Sequence, residues 1–163
     1  MEWNRLYDMQ QELDGYIENN HILQKGETFP KKLLALFVEL GEMANETRCF
    51  KFWSTKPPSE KNVILEEYVD VLHFILSLGL ETDNRYQKDQ KVDQTTEHDI
   101  TTLFLDLFQR CTTFGNSPHQ SSYNEMVEAY LALGKALGYQ ETDVAEMYVA
   151  KNKTNYKRQD EGY

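Results

Sequence analysis

An all-α bundle of five or six helices is what this 163-residue chain predicts, and three observations predict it. Apolar residues recur at spacings of three and four through successive stretches, the period of a helix with one buried face. All four prolines fall where such stretches begin or break, as expected for a residue that cannot donate a backbone hydrogen bond. Two pairs of acidic residues, Glu39-Leu-Gly-Glu42 and Glu67-Tyr-Val-Asp70, sit at the three-residue spacing of a helix face inside strongly apolar surroundings. At this length the chain is read as one domain, residues 1–163.

The elements follow in order. Residues 2–20 carry the stripe Leu6, Met9, Leu13 and Ile17 and end at Asn19-Asn20. Gly26 falls in the connection that follows. Pro30 suits the first turn of a helix running to about Thr47. Lys56-Pro-Pro-Ser59 then breaks the chain, with Ser59 as the expected N-cap of the helix bearing Glu67 and Asp70. Residues 82–98 are polar without apolar periodicity and are read as a mobile loop. Helical spacing resumes at Leu103, Leu107 and Phe108, breaks near Gly115-Asn-Ser-Pro118, and returns through Met126, Tyr130, Leu133 and Leu137 as far as Gly138. A last helix is expected from Thr142, whose hydroxyl could cap it.

The acidic pairs carry the chemistry. A buried carboxylate costs several kcal/mol unless something positive lies against it. In a chain with 27 acidic residues, one Glu-x-x-Glu reads as solvated surface. Two such pairs on consecutive apolar helices do not, because antiparallel packing would point both strips at a common point and offer oxygen ligands to a divalent cation. Lys151, Asn155 and Arg158 recur at spacings of four and three near the end of the chain, so on a helix they share a face that could clamp phosphate oxygens. The alternative there is a basic helix end favoured by the macrodipole.

Composition narrows the classes further. A net charge of −10 argues against binding a nucleic-acid backbone as the main activity. Cys49 and Cys111 lack metal-ligand spacing and read as reduced thiols. The longest apolar stretch, 69–80, is too short for a membrane span and contains Asp70 and His73. No charged start followed by an apolar run marks a leader, so a cytoplasmic location is the expectation.

Glu-x-x-Glu, a gap, then Glu-x-x-Asp resembles the MazG-like all-α nucleoside triphosphate pyrophosphatases. Further segments narrow the resemblance: Leu6-Tyr-Asp-Met-Gln-Gln-Glu-Leu13, Phe50-Lys-Phe-Trp53, the run from Glu67 to Ser77, and Lys151-Asn-Lys-Thr-Asn-Tyr-Lys-Arg-Gln-Asp-Glu-Gly-Tyr163. Together they are similar to the dimeric dUTPases. The resemblance implies that architecture and Mg²⁺-dependent hydrolysis of dUTP to dUMP and pyrophosphate, controlling dUTP and supplying dUMP, with Mn²⁺ as a substitute metal and dUDP as a second candidate substrate. It implies Glu39, Glu42, Glu67 and Asp70 as metal ligands, with Glu39 as the group that orients or deprotonates the attacking water. It also implies Lys151, Asn155 and Arg158 as phosphate ligands within a binding segment 151–163. Gln10, Trp53, His73 and Phe74 are the implied base and sugar contacts, and a homodimer is the implied assembly. The family pattern carries Asn where this chain has Asp14, which leaves base selectivity open.

Three other readings compete. A MazG-like pyrophosphatase for dCTP, other NTPs or modified nucleotides would share the metal site. Glu18-x-x-His21 and Asp70-x-x-His73 also match the ligand spacing of carboxylate-bridged di-iron bundles. A non-enzymatic interaction module is the third.

Overall fold

The computed structural model describes residues 1–21, 27–88 and 99–162. Among the described residues there are six helices and no strands: α1 (Trp3–His21), α2 (Phe29–Thr47), α3 (Lys61–Glu81), α4 (Ile100–Asn116), α5 (Gln120–Ala136) and α6 (Glu141–Asp160). The all-α expectation holds. Gly26 and the 89–98 part of the expected mobile loop lie outside the described residues.

Helix α3 is the hub, with α1, α2, α5 and α6 all packed on it. Its sequence explains this, because twelve of its 21 residues are buried and apolar side chains surround it on nearly every side. Helix α2 lies antiparallel to α3. The Thr28 hydroxyl at its start donates to Glu81 at the end of α3, 2.9 Å away, while the Glu46 carbonyl near its end accepts from the Ser59 N–H just before α3 at 3.0 Å.

Pro30 sits in the first turn of α2, as expected, and Arg48 closes the helix in the left-handed conformation at φ 57°. That cap costs about 1 kcal/mol in a residue with a Cβ. The Arg48 side chain spans the following connection, donating to the Lys56 carbonyl at 3.1 Å and the Ser54 hydroxyl at 2.7 Å.

Two expected caps are corrected. Ser59 does not cap α3; its hydroxyl is bonded to Glu46 instead, and Glu60 takes the cap position without a side-chain bond. The last helix begins one residue before Thr142, where Gln140 and Asp143 exchange side-chain and backbone bonds as a capping box.

Helices α4 and α5 form an antiparallel hairpin. Asp99 caps α4 through the Thr101 and Thr102 amides at 2.9 and 3.2 Å. Arg110 pairs with Glu125 across the hairpin at 2.5 Å. The hairpin packs on α3 through tyrosines. Tyr68 donates to the Tyr130 carbonyl and Tyr130 donates to the Tyr68 carbonyl, 3.1 Å each way, with the rings stacked 4.1 Å apart. Gly134 permits this approach, since a Cβ there would overlap the Tyr68 hydroxyl.

Of the 82–98 segment, the described portion is held across α1 and α5. The Tyr86 amide donates to the Tyr7 hydroxyl at 2.8 Å, the Tyr86 hydroxyl bonds Glu128, and the Gln87 amide reaches Asn124 at 3.1 Å. On the outer side of α2 and α4, Leu34, Val38 and Leu105 remain 65%, 50% and 66% exposed. The apolar arc of α2 is therefore broader than this bundle covers. No helix among the described residues is long and apolar enough to cross a membrane.

Candidate functional site

Antiparallel packing sets Glu39 of α2 against Glu67 and Asp70 of α3. One carboxylate oxygen from each lies within 4.8 Å of the others, an oxygen-only donor set of the kind hard divalent cations take. Burial comes first and the neighbouring carboxylates of Asp70, Glu42 and Glu67 second in pushing the Glu39 carboxyl up to about 7. Glu67 and Asp70 are likewise raised, chiefly by burial. Carboxyls held above their ordinary range by burial and, second, by neighbouring carboxylates are groups that a cation would stabilise. That is the sense in which these residues fit a metal.

Glu42 lies outside this triad. With Glu39 centred against Glu67 and Asp70, Glu42 falls a turn further along α2 at an exposed position, yet close enough for its charge to act on Glu39.

Helix α6 brings the positive charge. Lys151, 8% exposed, lies 2.7 Å from both Asp70 and Glu66. Burial would lower its ammonium pKa, but the bonds to Asp70 and Glu66 outweigh burial and leave it raised. Arg158 acts electrostatically on Asp70 from two turns further along, and Asn155 is half-buried between them.

The expected base-contact residues divide. Gln10 of α1 and His73 of α3 are brought together, with His73 Nδ1 2.8 Å from Gln10 Oε1. Phe74 is half-buried beside His73 on α3. Trp53 is on the α2–α3 connection, 65% exposed, and its ring contacts are edge-on to Phe50 and Phe52.

The di-iron spacing does not converge. Glu18 faces Lys32 at 3.6 Å, and the exposed His21 is bonded to Gln159 at 3.1 Å. Asp70 and His73, by contrast, turn to Lys151 and to Gln10.

Three residues of this region were not singled out by spacing. Glu66 shares Lys151 with Asp70; its position next to Glu67 was the available signal. Tyr148 stacks on His73 at 4.2 Å and donates to Gln10 at 2.8 Å, and it lies three residues before Lys151, on the same face. Asn152 is 5% exposed with its side-chain N–H₂ unpartnered, which no pattern in the chain announces.

A search of the curated proteins finds no match. The family model described as dUTPase matches residues 2–163, and members of that family are dUTP diphosphatases, which are hydrolases. From its N-terminal helix to the basic end of α6, this chain belongs to the all-α dUTPase family.

Proposed function

We propose that this chain hydrolyses dUTP to dUMP and pyrophosphate in the cytoplasm, with Mg²⁺ held by Glu39, Glu67 and Asp70 and approached by Glu42. The observation that carries the reading is the convergence of three carboxylate oxygens within 4.8 Å beside the cationic face of α6. A bare acidic cluster would repel a triphosphate of about four negative charges, and Mg²⁺ supplies the neutralisation and the polarisation of phosphoryl oxygens that the reaction requires.

The chain's own groups do the rest. Glu39, its carboxyl raised to about 7, accepts a proton from water as the water oxygen bonds to phosphorus and the P–O bond of the bridge between the α and β phosphoryl groups breaks, releasing dUMP and pyrophosphate. Lys151, Asn155 and Arg158 hold phosphate oxygens, Arg158 through its forked donors. Lys151 can turn from Glu66 to a phosphate while keeping Asp70. Gln10, His73 and Phe74 receive the base, and Trp53 closes over it from the α2–α3 connection. The exposed Leu34, Val38 and Leu105 support a homodimer formed through α2 and α4.

The test is to incubate the protein with dUTP, dTTP, dCTP, UTP and dATP, with and without Mg²⁺, and to measure monophosphate and pyrophosphate. Mg²⁺-dependent release from dUTP with little from the rest is expected. Activity spread over the panel would make this a broader MazG-like pyrophosphatase, and silence throughout would refute the reading.

A further inference from the structure

Helix α3 shares its acids between two neighbours. Glu66 and Asp70 are four residues apart and so lie on one face of the helix, while Glu67 is turned away toward α2. Glu67 and Asp70 meet Glu39 of α2, with their oxygens within 4.8 Å of one another. Glu66 and Asp70 meet Lys151 of α6, each 2.7 Å from its Nζ. Asp70 thus belongs to both seams. Glu66 belongs to the second alone, since it is not among the acids that converge on a common point.

The two partners of Lys151 are unlike. Asp70 is the inner one, its side chain 17% exposed, and Glu66 the outer one, 51% exposed beside a lysine side chain that keeps only 9%. Among the described residues, the side-chain hydrogen bond of Glu66 is the one it accepts from Lys151, whereas Asp70 also faces the triad and the charge of Arg158. An ammonium has three N–H donors and no acceptor, and the bonds to both acids keep this one protonated in spite of its burial. What Glu66 supplies is an anionic oxygen on the solvent side of Lys151, at the length of a charge-assisted hydrogen bond. A phosphate oxygen would supply the same. A phosphate arriving from solvent therefore competes with the Glu66 carboxylate for one donor, and the two like charges repel each other across it.

We propose that Glu66 is a positioning residue: in the empty site it holds Lys151 as a phosphate oxygen would, and the phosphate chain of the substrate displaces it. The inference rests on the dUTP-hydrolase reading, which makes Lys151 a phosphate ligand, and deepens it. Asp70 keeps its bond to the ammonium through the exchange, so the lysine is already ordered when the nucleotide arrives. Glu66 weakens the hold on the phosphate chain by the same competition. Once the bridge is cleaved, its return to Lys151 favours the departure of pyrophosphate.

The test is a double-mutant cycle read by calorimetry on the full chain with Mg²⁺, with pyrophosphate as the probe because it carries phosphates and no base. Glu66→Gln keeps the shape of the side chain and removes its charge. It is expected to tighten pyrophosphate binding about three- to fivefold, the scale of an ion pair at a half-exposed position. In a Lys151→Met background the same change is expected to have no effect, because the group it acts through is gone. For dUTP, Glu66→Gln is expected to lower KM by a like factor without raising kcat. Pyrophosphate binding that Glu66→Gln leaves unchanged or weakens overturns the proposal. So does a gain that survives in Lys151→Met, which would make Glu66 only one more negative charge near the site, and so does unaltered protein that binds no pyrophosphate. If Lys151→Met does not fold, Glu66→Asp replaces it: the charge stays but the carboxylate is drawn back by one methylene, and binding no tighter than that of the unaltered protein overturns the proposal. Unaltered protein that binds pyrophosphate yet hydrolyses no nucleotide is a separate failure, that of the dUTP-hydrolase reading, and the cycle still decides on Glu66.

Discussion

Against α5, helix α3 presents Tyr68, which gives a hydrogen bond to the Tyr130 carbonyl and receives one from the Tyr130 hydroxyl at its own carbonyl, 3.1 Å each. Against α2 it presents Glu67 and Asp70 to Glu39, three acids within 4.8 Å of one another. Both seams bury polar atoms on the same helix. In the first, every phenol finds its partner inside the protein, so the seam adds stability and needs nothing more. In the second, like charges are held together and Lys151, ion-paired to Asp70, offsets them only in part, an arrangement that a bound cation would stabilise further.

The comparison is broken most directly by Glu39→Gln. If the acidic seam exists for catalysis, this change should lower kcat/KM for dUTP by about 10³-fold, roughly 4 kcal/mol, while raising the melting temperature of the metal-free protein at pH 8. A variant that is less stable and still fully active would make the acids structural.

Tyr130→Ala should do the reverse. A loss of about 3 to 4 kcal/mol in unfolding free energy is expected from the emptied volume and the broken reciprocal bonds, with kcat of the folded fraction retained. Chemical denaturation alongside an active-site titration checks both halves.

Arg158→Ala should cost about 1.5 to 3 kcal/mol in kcat/KM, the scale of a charge-assisted hydrogen bond to phosphate, and leave stability nearly unchanged. An unaltered kcat/KM would detach the end of α6 from the site.

The smallest effect is on pH dependence. The folded Glu39 carboxyl is raised to about 7, so its contribution to stability is complete below its ordinary range and is lost as pH rises through 7. His73 has the opposite sign: its folded value is depressed to about 3, and stability is lost only as pH falls below its ordinary value. Between about pH 6.5 and 8 the acids therefore dominate, and the melting temperature of metal-free protein should fall as pH rises. Added Mg²⁺ should flatten the slope. A flat curve without metal would mean that the triad is not under charge strain.

The parts of the site legible in the sequence are those set by periodicity. Glu39, Glu67 and Asp70 could be placed together because an acid in an almost wholly apolar helix has few reasons to be there, and antiparallel neighbours share a register. Glu42 followed the same three-residue rule and missed the triad. Spacing along one helix says which residues share a face, but only the crossing of two helices says which turn of that face is centred. The caps failed at Ser59 and Thr142 for a related reason, since capping is decided within one residue and competing partners, Glu46 for Ser59, are distant in the chain. Asp14 was visible only as a departure from a pattern. Its tie to Gln10 is an ordinary i, i+4 contact, while Gln10 in turn meets a histidine 63 positions further along the chain.

Five of the ten tyrosines, Tyr7, Tyr68, Tyr123, Tyr130 and Tyr148, are fully buried, and burial raises the pKa of each above the ordinary range for a phenol. Strong alkali should therefore ionise this protein in two stages. Accessible rings such as Tyr16 will develop phenolate absorbance gradually, and the buried five will follow only when the helices separate. The seam that holds the bundle together is thus also a built-in optical gauge of its opening, readable in plain ultraviolet light without any label.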